Sequence, residues 1–313
     1  MKYKVFIDGQ EGTTGIKIYE RFQNRDDVEI LRIDETLRKD LSERKKLINS
    51  SDFTFLCLPD IAAKEAVSLV ENSNVKIIDA STAHRTNPDW AYGLPELSKE
   101  HRQKIANSNR VAVPGCYASG FIAAVYPLIE ARIIASDHPV SCHAVSGYSG
   151  GGKKMIEQYE CADKEEELFS PRQYALSQNH KHLAEMQAIT ALSYPPMFNP
   201  IVDNYYSGML VSLPLITRTL KNKLTAKEIH EVIATHYKNE HFIKVMDFKQ
   251  DGFLGANNLA NTNTMQIFVC GNDEQVLVAS RFDNLGKGAS GAAIQCMNIM
   301  MGIDEKTGLI SFE

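Results

Sequence analysis

A cysteine set between a tight turn and a long apolar run is the first group in this sequence whose type and setting could do chemistry. In Val113-Pro114-Gly115-Cys116-Tyr117 the proline and glycine punctuate the backbone, and Phe121 to Ile129 then reads as a buried helix bent at Pro127. Cys116 is therefore expected at a helix N-terminus. There unpaired N–H groups and the helix dipole favour a thiolate, lowering the thiol pKa from about 8.5 toward neutrality. Such a sulfur is a candidate nucleophile; the plain alternative is a buried packing cysteine. A nucleophilic thiol needs a partner that protonates the oxygen developing on its substrate, and an imidazole titrates in the right range. His180-Lys181-His182 offers two. Histidines at i and i+2 do not share a helix face and no H-x-x-x-H pair supports them, so no metal site is expected.

Three glycine-rich stretches add to this. Gly9-Gln10-Glu11-Gly12-Thr13-Thr14-Gly15 follows an opening strand, Tyr3 to Asp8, and precedes a helix over 16–22 and a strand over 28–33. This is a mononucleotide-binding βαβ pattern. Its spacing is G-x-x-G-x-x-G, and Gly9, Gly12, Thr13, Thr14 and Gly15 are the expected contacts of a pyrophosphate at the helix N-terminus. Asp34-Glu35 stands where an acid selects NAD by binding a ribose hydroxyl, while Arg32, Arg38 and Lys39 could take a 2′-phosphate; the residues alone leave NAD against NADP open. A second stretch, Gly147 to Lys154, holds Ser149, Gly150 and Lys153, which could make an anion nest with a cationic lid. In the third, Asp283 to Ala293, a glycine turn feeds a helix of small and apolar residues running through Met301, which should pack back on the first domain. Asn284, Gly286, Lys287 and Gly288 would then lie at the crevice between domains as candidate cofactor contacts.

The elements that must position these groups alternate through the first third of the chain. Strands are expected over 53–59 and 76–81 with a helix over 61–70 between them, giving a parallel sheet covered on both faces. Such sheets bind ligands at the carboxyl ends of their strands, which places Ser81 to Arg85, with His84 and Arg85, and Pro114 to Cys116 on the ligand side. Farther on, a strand over 139–146, a charged helical piece over 163–168 and a strand over 209–215 that Pro214 should end or push to a sheet edge suggest a second, mostly antiparallel domain. A helix over 226–237 capped by Thr225, and a hairpin turning at Gly271-Asn272-Asp273, complete it.

Composition bounds the function. With 313 residues the chain has room for two domains. A formal charge of -5 without a basic patch excludes nucleic acid as the natural partner and leaves small molecules. No apolar run reaches membrane-spanning length and the start lacks a signal-peptide core, so a cytoplasmic protein is expected. Six scattered cysteines without a C-x-x-C pair argue against a disulfide framework or zinc.

Val113-Pro114-Gly115-Cys116-Tyr117, Tyr92-Gly93-Leu94-Pro95-Glu96-Leu97, His180-Lys181-His182 and Lys287-Gly288-Ala289-Ser290-Gly291 together resemble the N-acetyl-γ-glutamyl-phosphate reductases of arginine biosynthesis, in their shorter form. The motifs run through nearly the whole chain. The resemblance implies an α/β fold: a Rossmann-like parallel-sheet dinucleotide domain over 1–115 and 284–313, and an α+β catalytic domain of the glyceraldehyde-phosphate/aspartate-semialdehyde dehydrogenase type over 116–283. It implies NADP(H), an acyl-phosphate substrate, Cys116 as nucleophile and the acid–base within His180 to His182, with His182 preferred. Tyr117, Ser149, Gly150, Lys153, His84 and Arg85 are then the candidate substrate contacts. A homo-oligomer, dimer or tetramer, is expected. Reduction of aspartyl or carrier-bound aminoadipyl phosphate, or plain thiol hydrolysis, are the competing readings.

Overall fold

Short apolar strands that keep side chains on both faces need cover on both, and this governs the first of two units in the computed structural model, which describes residues 2–248 and 251–312. The units are Met1–Pro114 with Ala289–Leu309, and Gly115–Gly288 with Ile310–Glu313. In the first, β1 (Tyr3–Asp8), α1 (Thr13–Phe22), β2 (Val28–Leu31), α2 (Leu41–Ser50), β3 (Phe53–Leu56), α3 (Asp60–Ser68) and β4 (Lys76–Asp79) alternate as expected. β5 (Ala91–Tyr92), α4 (Lys99–Asn107) and β6 (Arg110–Ala112) complete a parallel sheet of order β2-β1-β3-β4-β6-β5.

Alternation along the strands divides the core of this unit. Val5, Ile7, Phe53, Phe55 and Ile78 pack with Ile18 and Phe22 of α1 and Ile105 of α4, whereas Phe6, Leu56 and Ile77 pack with Ile48 of α2 and Ala63 and Ala66 of α3. At the carboxyl end of β1 the buried Asp8 receives Nε and Nη2 of Arg44 at 3.0 and 2.9 Å, and Arg44 Nη1 reaches Glu65 at 2.8 Å. Burial raises the Asp8 pKa despite this guanidinium, so the ion pair there is held by geometry more than by net charge stabilisation.

The second unit begins with α5 (Cys116–Glu130) and continues through β7 (Ser141–Gly147), α6 (Lys153–Glu160), β8 (Arg172–Gln173), α7 (Leu183–Thr190), β9 (Met197–Asp203) and β10 (Met209–Ile216). α8 (Ala226–Tyr237), β11 (Ile243–Val245), β12 (Met265–Gly271) and β13 (Gln275–Phe282) follow. Their strand order is β11-β12-β13-β10-β7-β9-β8. The sheet is mixed rather than antiparallel, because β7 pairs β9 and β11 pairs β12 in parallel. Between β7 and β9 the helices α6 and α7 supply the long connection that parallel pairing needs, whereas residues 246–264 link β11 to β12 with no helix among the described residues.

Three further local expectations need correcting. Pro214 neither ends β10 nor moves it to an edge. It pairs with Leu277 of β13, while pairing with β7 stops at Ser212, so no neighbour asks the missing N–H for a bond. The charged piece over 163–168 is not an α-helix; a turn leads into one short 3₁₀ segment, Glu166–Phe169, closed by the Leu168 N–H on Glu165 O at 3.0 Å. The 284–313 segment does not return to the first unit as one piece. Only α9 (Gly291–Met301) and its flanks do, with Ala292, Ala293, Ile294 and Met297 in the first core. Residues 284–288 are tied to the second unit by Asp283, and the Ile310 carbonyl by the Asn263 N–H at 2.7 Å.

Pro127 lies inside α5, where it removes the bond that Ala123 O would accept. The buried hydroxyl of Tyr237 in α8 donates to that carbonyl at 2.8 Å. Tyr237→Phe leaves the carbonyl orphaned, and a loss of about 1–3 kcal/mol is expected. Denaturant titration measures it; an unchanged midpoint would remove Tyr237 from this account.

Candidate active site

Gly115 is the N-cap of α5 and has no side chain to cap the helix, so Cys116 occupies the first helical position with the N-terminal N–H groups around it. Ser119 N–H closes the first turn on Gly115 O at 2.8 Å. The Gly115 N–H itself donates to Glu185 Oε2 at 3.1 Å, and Glu185, at 1% exposure, belongs to α7 beside α5. Cys116 is half-buried, and it lies where a reagent of modest size can reach it. Three of the other thiols are poorer nucleophiles. Burial, with Asp79 and Asp8 adding to it at Cys57, pushes the Cys57 and Cys142 thiols far up, and Cys296 is buried with its sulfur donating to Gly93 O at 3.5 Å.

Aromatic and imidazole rings gather next to the cysteine. Tyr117 stands 5.9 Å from His180 and 6.0 Å from His182 between ring centroids, and the two histidines are 4.7 Å apart, edge to face. Tyr174 lies 6.4 Å from Tyr117 and 5.9 Å from His180. Burial raises the Tyr117 and Tyr174 phenol pKa values strongly, and negative charge on the Cys116 sulfur adds to the rise at both. Both phenols therefore stay protonated donors near that sulfur. His180 Nδ1 accepts the backbone N–H of His182 at 3.1 Å, which fixes its neutral tautomer with the proton on Nε2. His182, at 5% exposure, is the N-cap of α7.

The 147–154 loop is not an open anion nest. The N–H groups of Gly147, Tyr148 and Ser149 are committed to the carbonyls of Gly208, Tyr205 and Tyr206, and Gly152 N–H to Ser149 O. Ser149 is buried and its hydroxyl accepts from Asn284 Nδ2 at 3.0 Å, while Asn284 Oδ1 takes the Gly208 N–H at 2.8 Å. Two residues expected in different roles thus share one bond. Gly150 and Lys153 remain on the exposed side of the loop. Gly288 abuts the cysteine: a β-carbon there would lie 2.9 Å from the Cys116 β-carbon. Lys287 is buried with its ammonium over the Phe242 ring at 5.8 Å.

His84 and Arg85 belong to the first unit. His84 Nδ1 meets the buried Asp79 carboxylate at 2.6 Å, and the imidazole stacks on Trp90 at 4.1 Å. Arg85 directs Nε to Val113 O at 2.9 Å and Nη2 to Ala80 O at 3.0 Å, so most of its fork is used on backbone at the strand ends.

The first glycine turn fits a dinucleotide. Gly9 has φ +87° and a β-carbon there would collide with the Cys57 carbonyl; one at Gly15 would lie 2.6 Å from Gly9 O. These two allow the tight turn, and Gly12 caps α1 without a side chain, which leaves Thr13 and Thr14 N–H groups facing the position a pyrophosphate takes. Asp34 is exposed, with its Oδ1 taken by Thr36. It caps a 3₁₀ turn, Glu35–Leu37, by accepting from Thr36, and those bonds lower its pKa. Arg32, held by the Tyr19 hydroxyl and ring, and Arg38 are exposed cations beside it, the charge a 2′-phosphate needs.

Residues 4–105 match the semialdehyde dehydrogenase NAD binding domain, and residues 116–284 the semialdehyde dehydrogenase dimerisation domain. A Nostoc sp. protein named N-acetyl-gamma-glutamyl-phosphate reductase 2 is 49% identical over 320 residues, covering 98% of this chain and 99% of its own. A Brucella ovis protein named N-acetyl-gamma-glutamyl-phosphate reductase is 44% identical over 309 residues, covering 96% and 100%. Aspartate semialdehyde dehydrogenase II of Vibrio cholerae has the same fold, with a TM-score of 0.73 at 15% identity over 96% of this chain and 99% of that one. No helix among the described residues is long and apolar enough to cross a membrane. Two domain matches and near full-length relatives place the chain in the N-acetyl-γ-glutamyl-phosphate reductase family of the semialdehyde dehydrogenases.

Proposed function

We propose that the chain reduces N-acetyl-γ-glutamyl phosphate to N-acetylglutamate 5-semialdehyde and phosphate, a step of arginine biosynthesis, through a thioester on Cys116. The observation that carries this reading is a half-buried thiol at the first position of α5, amid protonated phenols and two imidazoles. The sulfur attacks the acyl carbonyl and phosphate leaves. N–H groups at the start of α5 face the developing oxyanion, an interaction worth about 3–4 kcal/mol per donor in comparable sites. When bound, NADPH supplies the hydride that reduces the thioester; Gly9, Gly12, Thr13, Thr14 and Gly15 hold its pyrophosphate, and Arg32 and Arg38 its 2′-phosphate. His182 protonates the hemithioacetal oxygen as it forms, then takes that proton back as the adduct collapses to aldehyde and Cys116 thiolate. Tyr117, Gly150 and Lys153 are the proposed contacts of the anionic substrate. Arg85 is assigned to the scaffold, since its Nε and Nη2 already hold Val113 and Ala80.

The experiment is phosphate-dependent oxidation of N-acetylglutamate semialdehyde, with NADP and NAD side by side. NADP reduction that requires phosphate is expected. Oxidation indifferent to phosphate, or a preference for aspartate semialdehyde, would overturn the assignment.

The match to a dimerisation domain supports a homo-oligomer, and the open face of the second sheet suits a dimer. Helices α5 and α8 cover the other face. On the open one, Ile201, Val145 and Leu210 form a row across β9, β7 and β10, with Met197 58% exposed nearby. Leu210→Asp is expected to halve the mass measured by light scattering while the far-UV spectrum is kept; an unchanged mass would move the interface elsewhere.

A further inference from the structure

Asp283 follows the last residue of β13 and is 1% exposed. Its carboxylate accepts from four neutral donors. Oδ1 takes the N–H groups of Leu285 at 2.6 Å and Gly286 at 2.8 Å; Oδ2 takes the Ser207 hydroxyl at 3.2 Å and the Asn261 N–H. Its own carbonyl accepts from Gly288 N–H at 2.9 Å. None of these four donors is a basic side chain. A fully desolvated carboxylate is costly unless its bonds are complete, and here two of the four come from the turn that follows it.

That turn is the one that touches the thiol. Side chain and backbone of Asp283 together fix residues 285, 286 and 288, and Gly288 is the residue whose β-carbon would lie 2.9 Å from that of Cys116. The same residue reaches outward, through Ser207 and Asn261, to the loops that precede β10 and β12. The carboxylate is suited to this because two oxygens supply the acceptor sites four donors need. An asparagine keeps the shape but turns an N–H₂ toward donors.

We propose that Asp283 is a positioning residue for Cys116, holding the Gly286–Gly288 backbone against the cysteine so that the sulfur keeps one direction relative to the substrate. The idea rests on Cys116 being the nucleophile. It adds that turnover depends on a carboxylate that touches neither substrate nor sulfur.

The test uses the full chain and three variants. Asp283→Asn is the probe, Ser207→Ala removes only one of its four donors, and Thr225→Ala deletes the capping box of α8 as a control that alters stability alone. Each is measured for kcat, KM, thermal midpoint and the rate at which iodoacetamide alkylates Cys116, followed on the Cys116 peptide by mass spectrometry. For Asp283→Asn a kcat at least tenfold lower is expected, with KM for the acyl phosphate within threefold and alkylation at least threefold faster, since the loosened turn uncovers the thiol. Ser207→Ala should move kcat and alkylation the same way by two- to threefold, and it decides the matter where Asp283→Asn does not fold. Thr225→Ala should lower the midpoint and move neither rate. A kcat loss in Asp283→Asn or Ser207→Ala that follows the folded fraction, or unchanged kcat and alkylation, overturns the proposal. Turnover that persists in Cys116→Ser sinks the thiol reading beneath it, a failure distinct from the first.

Discussion

Cys116→Ser is expected to lower kcat by about 10⁴-fold or more while NADPH still binds, because the acyl group then has no competent acceptor. A serine hydroxyl is nearly isosteric, yet it does not ionise at the α5 N-terminus in the way a thiol can. No other cysteine stands at the start of α5: Cys57 and Cys142 have thiols pushed up by burial, Cys296 is buried, Cys161 caps α6 on the surface, and Cys270 lies in β12. Fluorescence titration with NADPH separates the two outcomes. Intact binding with lost turnover supports the thioester route. Turnover above one hundredth of the wild-type rate would remove Cys116 as nucleophile, whatever family the chain belongs to.

What was legible in the sequence is what depends on neighbours along the chain. The β1–glycine–α1 pattern, the helix start at Cys116, the Thr225 cap and the Gly271 hairpin are set by periodicity, turn chemistry and caps within a few residues, and each stands where it was expected. Pro214 misled because strand tolerance depends on which neighbour is present at one residue, and that is a property of register. Glu185 and Asp283 were missed for a similar reason. Glu185 meets Gly115 across 70 residues of chain, and Asp283 looks in sequence like one more polar residue before a glycine turn. A signal for Asp283 did exist: an acid directly before two N–H groups of a tight turn caps it. The residue types His84 and Arg85 were readable as candidate anion contacts, whereas their partners Asp79, Val113 and Ala80 follow from the fold.

The two histidines can be told apart by their hydrogen bonds, and the difference sets the second large effect. His180 Nδ1 is held as an acceptor by the His182 N–H, so a proton added at that nitrogen breaks a bond at the start of α7. That contact suits His180 to orienting its neighbour. His182 gives only its backbone N–H to that bond, and as a nearly enclosed residue beside Tyr117 it is the proposed general acid. His182→Gln is expected to lower kcat by about 10²–10⁴-fold, with the fall in rate at high pH abolished because no acid remains to be deprotonated. His180→Gln should lower kcat by about tenfold and keep that high-pH limb, since glutamine retains polar contacts without titrating. The pH dependence of kcat for both variants decides between them. If the limb survives in His182→Gln and vanishes in His180→Gln, the acid is His180, and the Nδ1 contact to the His182 N–H must break during turnover.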